Sequence, residues 1–203
     1  MTPKPDVSGM RTAQIIEAAT TIFAAKGFDG ATMVDIATQA GINKATIYLY
    51  FESKDDLIRS IAEELFAQEL ADLEAVCNRP GTATERLRLY YEALIAEETE
   101  VLPLMPIVYE FYALGLRRED VRAVLVEYLR GMITLLTAII QEGITTGEFA
   151  PTDARKAARA LDALLNGIFL HWVYAPEEVD IAAQLRYGVQ LIFRGLLKHV
   201  EIV

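Results

Sequence analysis

The stretch from Thr32 to Ser53 carries three helix-start signals in 22 residues: Thr32, Asn43 and Ser53. Such residues are favoured at N-caps because a side-chain oxygen accepts an N–H that the first turn leaves unpaired. Thr32 with Asp35 three residues on has the spacing of a capping box, with Asp in place of the commoner Glu. Gly27 and Gly41 mark helix ends, where the left-handed conformation is tolerated. Helices punctuated this closely are short. Elsewhere apolar residues recur at spacings of three and four. There is no sustained alternation and no Asn-Gly or Asp-Gly hairpin signal, so the chain is expected to be all-α.

About nine helices follow from this pattern. The first runs from Ser8 or Thr12 to Lys26, with Ile15, Ile16, Ala19, Ile22 and Phe23 inward. A short second helix buries Ile36, Ala37 and Ala40 and stops at Gly41. The third covers "INKATIYLYF", and the fourth, residues 54–77, would be about 36 Å long at 1.5 Å per residue. A fifth begins at Thr82 or Thr84 and reaches Glu97. Pro103 and Pro106 suit the entry to a sixth, ending near Leu114. The seventh spans Glu119 to Gln141, and an eighth opens at "TDARK" after a "GEF" turn. The ninth is expected to carry Pro176 in its first turn. The domain expectation is a head over residues 1–53 and a body over 54–203.

The chain of 203 residues has a formal net charge of −10. Residues 1–54 hold five basic and five acidic side chains, so the whole deficit lies in the body, with 14 basic and 24 acidic. An acidic chain is a poor nucleic-acid binder by net charge, so such a role must be local to the neutral head. The hydrophobic share of 53% is enough for a real core. No uninterrupted apolar run reaches the roughly 18 residues of a membrane span. "MTPKPDVSGM" has no apolar h-region and reads as a loose arm rather than a signal segment. A cytoplasmic protein without membrane association is expected. The single cysteine, Cys77, rules out an internal disulfide. His171 and His199 stand 28 residues apart in no metal or triad pattern, and there is no phosphate-binding glycine motif, so no enzyme, metal or cofactor is expected.

The third helix is too apolar for a solvent-facing piece of its length. On a helical wheel with Ile47 inward, Phe51 lies 40° away and is also inward. Ala45 and Leu49 point outward, flanked by Thr46 and Tyr48, with Lys44 and Tyr50 at the sides. Water gives no reason for that outer face. A DNA major groove does: Ala, Leu and the Thr methyl suit thymine methyls, and hydroxyls reach base edges or phosphates. The unpaired N–H groups of successive helix starts attract phosphates, and Lys44 and Lys54 follow two of those starts.

These residues carry a resemblance. Ile15 to Ile58 is similar to the DNA-binding domain of the tetracycline-repressor (TetR) family. The matching positions are the Ala-x-x-x-Phe of the first helix, Gly27-Phe28, Thr32, Ile36-Ala37, Ala40-Gly41-Ile42, Thr46-Ile47-Tyr48, Tyr50-Phe51, Ser53-Lys54 and Leu57, without gaps. The sequence departs at Ala45, where the family often has Gly, which bears on base choice rather than on the fold. The resemblance implies that Thr32 caps the second helix against a phosphate. It further implies that Lys44, Ala45, Thr46, Tyr48 and Leu49 face the groove, and that Tyr50 and Lys54 hold the flanking backbone. It implies a ligand-responsive repressor that binds a near-palindromic operator as a homodimer and is released by a small, largely apolar effector. The alternative is a helical ligand- or partner-binding protein whose head does not read specific DNA.

In the body, the eighth helix is rich in small residues and the ninth has two apolar faces, which need two partners. A four-helix isologous interface is expected, through Leu161, Leu164, Ile168, Leu185, Val189, Ile192 and Leu196. Aromatic and methionine side chains suit a pocket between helices, and Tyr91, Met105, Tyr109, Tyr112, Met132 and Trp172 are the expected lining. Glu110 or Glu98 would favour a cationic ligand.

Overall fold

The computed structural model describes residues 7–96 and 101–197. Glu98, His199 and the first six residues of the N-terminal arm lie outside the described residues. Nine α-helices are present among those described: α1 (Val7–Gly30), α2 (Met33–Gln39), α3 (Lys44–Ile47), α4 (Lys54–Cys77), α5 (Ala83–Ala96), α6 (Met105–Gly115), α7 (Glu119–Thr146), α8 (Ala154–Tyr174) and α9 (Ile181–Leu196). A 3₁₀ turn, Leu102–Leu104, with Pro103 in it, leads into α6.

Two compact units divide the chain. The first comprises residues 1–65 and 106–123, the second residues 66–105 and 124–203. The first unit thus reaches beyond the expected head. It takes in the opening turns of α4 and all but the first residue of α6. Ile15, Phe23, Ile36, Ile47, Leu57, Ile58 and Phe111 are buried in it.

α1 breaks at Gly27, whose φ of 69° and ψ of 169° are far from helical and strained for any residue with a side chain. α2 closes in a Schellman arrangement. The Ile42 N–H donates to the Ala37 carbonyl (2.9 Å) and the Gly41 N–H to that of Thr38 (3.1 Å), with Gly41 at φ 63°. α3 is one α-helical turn, continued by tighter bonds: Leu49 N–H to Thr46 O and Tyr50 N–H to Ile47 O, both 3.1 Å. Its inward residues, Ile47 and Phe51, are buried as the wheel requires.

The seventh helix extends five residues past its expected end, to Thr146. It is also long and apolar enough to cross a membrane by length and composition, although charged residues interrupt its apolar run. Val121, Leu125, Tyr128, Met132, Leu136 and Ile139 recur at three and four and are buried, while Glu127, Arg130 and Gln141 are exposed together with Val126 and Leu129. One buried face at this spacing is that of an amphipathic helix. The ninth helix begins later than expected, at Ile181, with Asp180 as N-cap accepting the Ala183 N–H at 2.9 Å. Pro176 therefore stands in the preceding turn.

The "GEF" turn ties the second unit together, and each of its letters has a task. Gly147 takes φ 83°. The Glu148 carboxylate accepts the N–H groups of Ala83 (3.1 Å) and Thr84 (3.0 Å), capping α5. Burial alone would raise its pKa, but these bonds outweigh it and hold the carboxyl below its ordinary value. Phe149 is fully buried against Gly143, where a Cβ would come within 2.3 Å of the ring. Gly143→Ala is therefore expected to destabilise the protein by about 1–3 kcal/mol through overpacking. Thermal unfolding checks this, and an unchanged midpoint would show that the ring has room to yield.

Candidate nucleic-acid interface and body site

The outward face of α3 and its continuation is as apolar as the wheel indicated. Leu49 is 82% exposed and Tyr48 44%, with Ala45 and Lys44 also exposed. Thr46 and Tyr50 are partly covered. Asn43 caps the helix by accepting the Thr46 N–H (2.8 Å) and also accepts the Thr46 hydroxyl (3.0 Å). The side chains of Ala45, Tyr48 and Leu49 thus form one exposed patch on a capped turn, flanked by Thr46.

Two expected phosphate partners are already engaged. The Thr32 hydroxyl donates to Asp35 Oδ2 at 2.8 Å, the Thr32 N–H donates to the same oxygen at 3.0 Å, and the Asp35 N–H returns to Thr32 Oγ1 at 3.2 Å. Lys26 Nζ donates to Asp35 Oδ1 at 2.7 Å. Lys26 and Thr32 together hold the Asp35 carboxyl down at about 2. The capping box is therefore complete within the chain.

Lys54 departs furthest from its expected role. Its ammonium donates to the carbonyls of Phe28 (2.6 Å) and Ala31 (3.0 Å) and sits 4.3 Å from the centroid of the Phe28 ring. An ammonium has three donors, and two are spent here. Lys54 braces the last turn of α1 at Phe28 and the link to α2 at Ala31. Arg11 is bonded to Gln14 at 2.6 Å. Lys44 is then the one cation among the described residues 9–54 with no hydrogen bond or ion pair. Sequence reasoning also missed Arg118, which pairs with Asp55 at the start of α4 and with Asp120. Its position 63 residues from Asp55 gives no local signal.

The expected interface and pocket residues change place as well. Leu161, Ile168, Leu185, Val189 and Leu196 are buried within the single chain. Leu164 and Ile168 pack on Gly188, where a Cβ would stand 3.0 Å and 3.2 Å from their methyl carbons. The close approach of α8 and α9 at Gly188 therefore turns the expected stripe inward. Ile192 is half-buried. The second apolar face of α9 remains outside: Tyr187 is 58% exposed and Leu191 49%, with Ala183 beside them. On α8, Ala160 and Ala163 are exposed, and Gly167 has open space where a Cβ would stand.

Of the expected pocket lining, Tyr109 and Tyr112 belong to the first unit, with their rings edge to face at 5.6 Å. Burial pushes the Tyr109 hydroxyl up to about 12. Tyr91, Met105, Met132 and Trp172 belong to the second unit, the first and third of them buried. Glu110 is exposed in the first unit, at the edge of a small cavity of about 50 Å³ lined by Phe23, Phe28, Ile58 and Ile107. Among the described residues, no group of three or more His, Cys, Asp or Glu is placed to hold a metal ion.

Comparison with known proteins agrees with this arrangement. Residues 15–61 match the family described as bacterial regulatory proteins, tetR family. Residues 83–194, more than half the chain, match the family described as BetI-type transcriptional repressor, C-terminal. The chain belongs to the tetR family of bacterial regulatory proteins. It is similar to the fatty acid metabolism regulator protein of Bacillus subtilis, 28% identical over 187 residues, covering 90% of this chain and 94% of the relative. The solved structure of FadR from Bacillus subtilis in complex with stearoyl-CoA superposes with a TM-score of 0.73 at 28% identity, covering 90% and 98% of the two chains. A transcriptional regulator from Saccharomonospora viridis in complex with choline gives a TM-score of 0.86 at 18% identity, covering 94% and 100%, a likeness of fold. As a TetR-type transcriptional repressor, the protein has its helix-turn-helix in α2 and α3, within the segment of the first match.

The two lysines of the regulator's head make distinct predictions. Lys54→Met is expected to lower the unfolding midpoint, because it removes two charge-assisted bonds and leaves two carbonyls short of a donor. Lys44→Ala should leave the midpoint unchanged. Thermal melts of both variants decide the assignment, and a stable Lys54→Met protein would contradict the brace.

Proposed function

We propose that the regulator binds a near-palindromic operator as a homodimer and that a small effector held by the second unit releases it. The observation that carries the DNA reading is the exposed patch of Ala45, Tyr48 and Leu49, mounted on a capped turn beside the unpaired Lys44. An exposed leucine and tyrosine on so short an element are costly in water and well placed for thymine methyls. Thr46 and Tyr50 flank the patch, Lys44 takes a phosphate, and Thr32 and Lys54 act from beneath by fixing the helix starts.

The dimer reading rests on the outward face of α8 and α9. Tyr187 and Leu191 rise beside the small exposed residues Ala160, Ala163 and Ala183. Large side chains next to small ones suit a self-complementary patch, as a two-fold interface requires. Two heads so joined would read two half-sites at a spacing set by the dimer. Ligand response is supported by the relatives, since the Bacillus subtilis structure holds stearoyl-CoA and the Saccharomonospora viridis structure holds choline. An effector lowers DNA affinity when it binds the DNA-incompetent conformation more tightly.

Selection from a random duplex library with the full chain should enrich a near-palindromic sequence. Enrichment of no sequence would leave a ligand-binding protein that does not read DNA. On the selected site, Lys44→Ala should weaken binding to all sequences alike and reduce the salt slope by about 1. Leu49→Ala should instead change which base is preferred at one position in each half-site. Tyr187→Glu is expected to yield monomers in light scattering and to abolish operator binding with the fold intact. Dimers persisting in that variant would move the interface elsewhere.

A further inference from the structure

Gln14 joins two parts of the head that lie 26 residues apart in the sequence. Its amide nitrogen donates to the Ala40 carbonyl at 2.7 Å, and its amide oxygen accepts Arg11 Nη1 at 2.6 Å. Ala40 is the C-cap of α2, and Gly41, Ile42 and Asn43 separate it from α3. One side chain therefore ties the first part of α1 to the turn of the helix-turn-helix. Two hydrogen bonds and the amide between them also keep the Arg11 guanidinium within about 8 Å of the Ala40 carbonyl.

Arg11 differs in its bonding from the other cations near it. Lys26 is paired with Asp35, and Lys54 is spent on two backbone carbonyls. The partner of Arg11 is a neutral amide, and it forms no ion pair among the described residues. A guanidinium carries five N–H groups in a rigid plane, so one bond to Gln14 orients it and leaves four donors and the whole charge. An exposed side-chain bond three residues apart adds little to a fold. An oriented guanidinium with no counter-charge suits the planar recognition of a phosphate. Lys44 follows the same turn as the first residue of α3, so the turn has one cation held beside it and another at its end.

We propose that Arg11 grips a phosphate of the operator beside the groove that α3 enters, and that Gln14 is the positioning residue that aims it from the Ala40 carbonyl. The contact reads no base. It fixes the orientation in which the patch of Ala45, Tyr48 and Leu49 meets the base edges. Because Gln14 is anchored on the end of α2, the guanidinium keeps its place relative to the turn when the head docks. The inference rests on the reading that the head binds DNA, and it adds a contact and its support to that reading.

The test uses the full chain and the duplex recovered by selection, with affinity measured over a range of salt concentrations. Arg11→Ala should weaken binding about ten-fold at 0.1 M salt and lower the salt slope by about 1. The same factor should appear on a scrambled duplex, and the preferred bases should not change. Its unfolding midpoint should stay that of the parent. Gln14→Glu keeps Arg11 but gives it a carboxylate partner, so the slope should fall as in Arg11→Ala. Gln14→Ala frees the guanidinium without neutralising it, so affinity should fall while the slope is kept. In the Arg11→Ala background, Gln14→Ala should cost little more, whereas a purely structural role at Ala40 would cost the same in both backgrounds and overturn the positioning claim. A slope unaltered by both Arg11→Ala and Gln14→Glu, with the parent still binding, would overturn the phosphate contact and leave the DNA reading standing. A parent that binds no duplex would overturn both. Gln14→Glu retains the arginine, so it decides the contact even if Arg11→Ala fails to fold.

Discussion

The Lys54 ammonium bonds two carbonyls at the end of α1 and lies over the Phe28 ring, and the geometry of the head hangs on that junction. Gly27 has broken the helix just before Phe28, and Thr32, five residues after it, caps α2. A cation on the carbonyls of Phe28 and Ala31 holds the chain between those two points. Because Lys54 is the first residue of α4, the same contact ties the start of that helix to the end of α1. Asp35 repeats the logic one step on, taking two donors from Thr32 and one from Lys26. Asn43 in turn caps α3 by accepting the Thr46 N–H and hydroxyl, so the turn that carries Ala45, Tyr48 and Leu49 is held without bonds from those three side chains.

Local signals were legible in the sequence, and long-range ones were not. Thr32, Asn43 and Gly41 act as their types and spacing required, because capping and left-handed turns are settled within four residues. Ile47 and Phe51 turned inward, as periodicity dictates. Lys54 read as a surface cation because its partners lie 26 and 23 residues back and are backbone atoms, which a sequence does not flag. The two apolar faces of α9 were visible, but periodicity alone does not say which one meets the chain's own core. Gly188 decided it: a missing side chain lets α8 approach on that side and leaves Tyr187 and Leu191 to face outward.

The acidic body and the neutral head divide the molecule chemically. A net charge of −10 outside residues 1–54 would repel a DNA backbone, so the head must present its apolar patch and Lys44 without help from long-range attraction. Within the body most acids are solvated. Glu69 differs because two tyrosine hydroxyls replace water around it while no counter-charge does. A desolvated carboxyl held this way is costly to keep.

The Glu148 cap on α5 comes from more than 60 residues downstream, beyond the whole of α6 and α7. The first turn of α5 is therefore incomplete until that distant segment has arrived. Closing a loop of this length costs chain entropy before the cap returns anything, so α5 matures late rather than as a local seed. On a ribosome, the first unit is complete once α6 and Arg118 have followed the start of α4, still before "GEF" is synthesised. The order of assembly is thus first unit before second, which is completed only when its own closing turn appears.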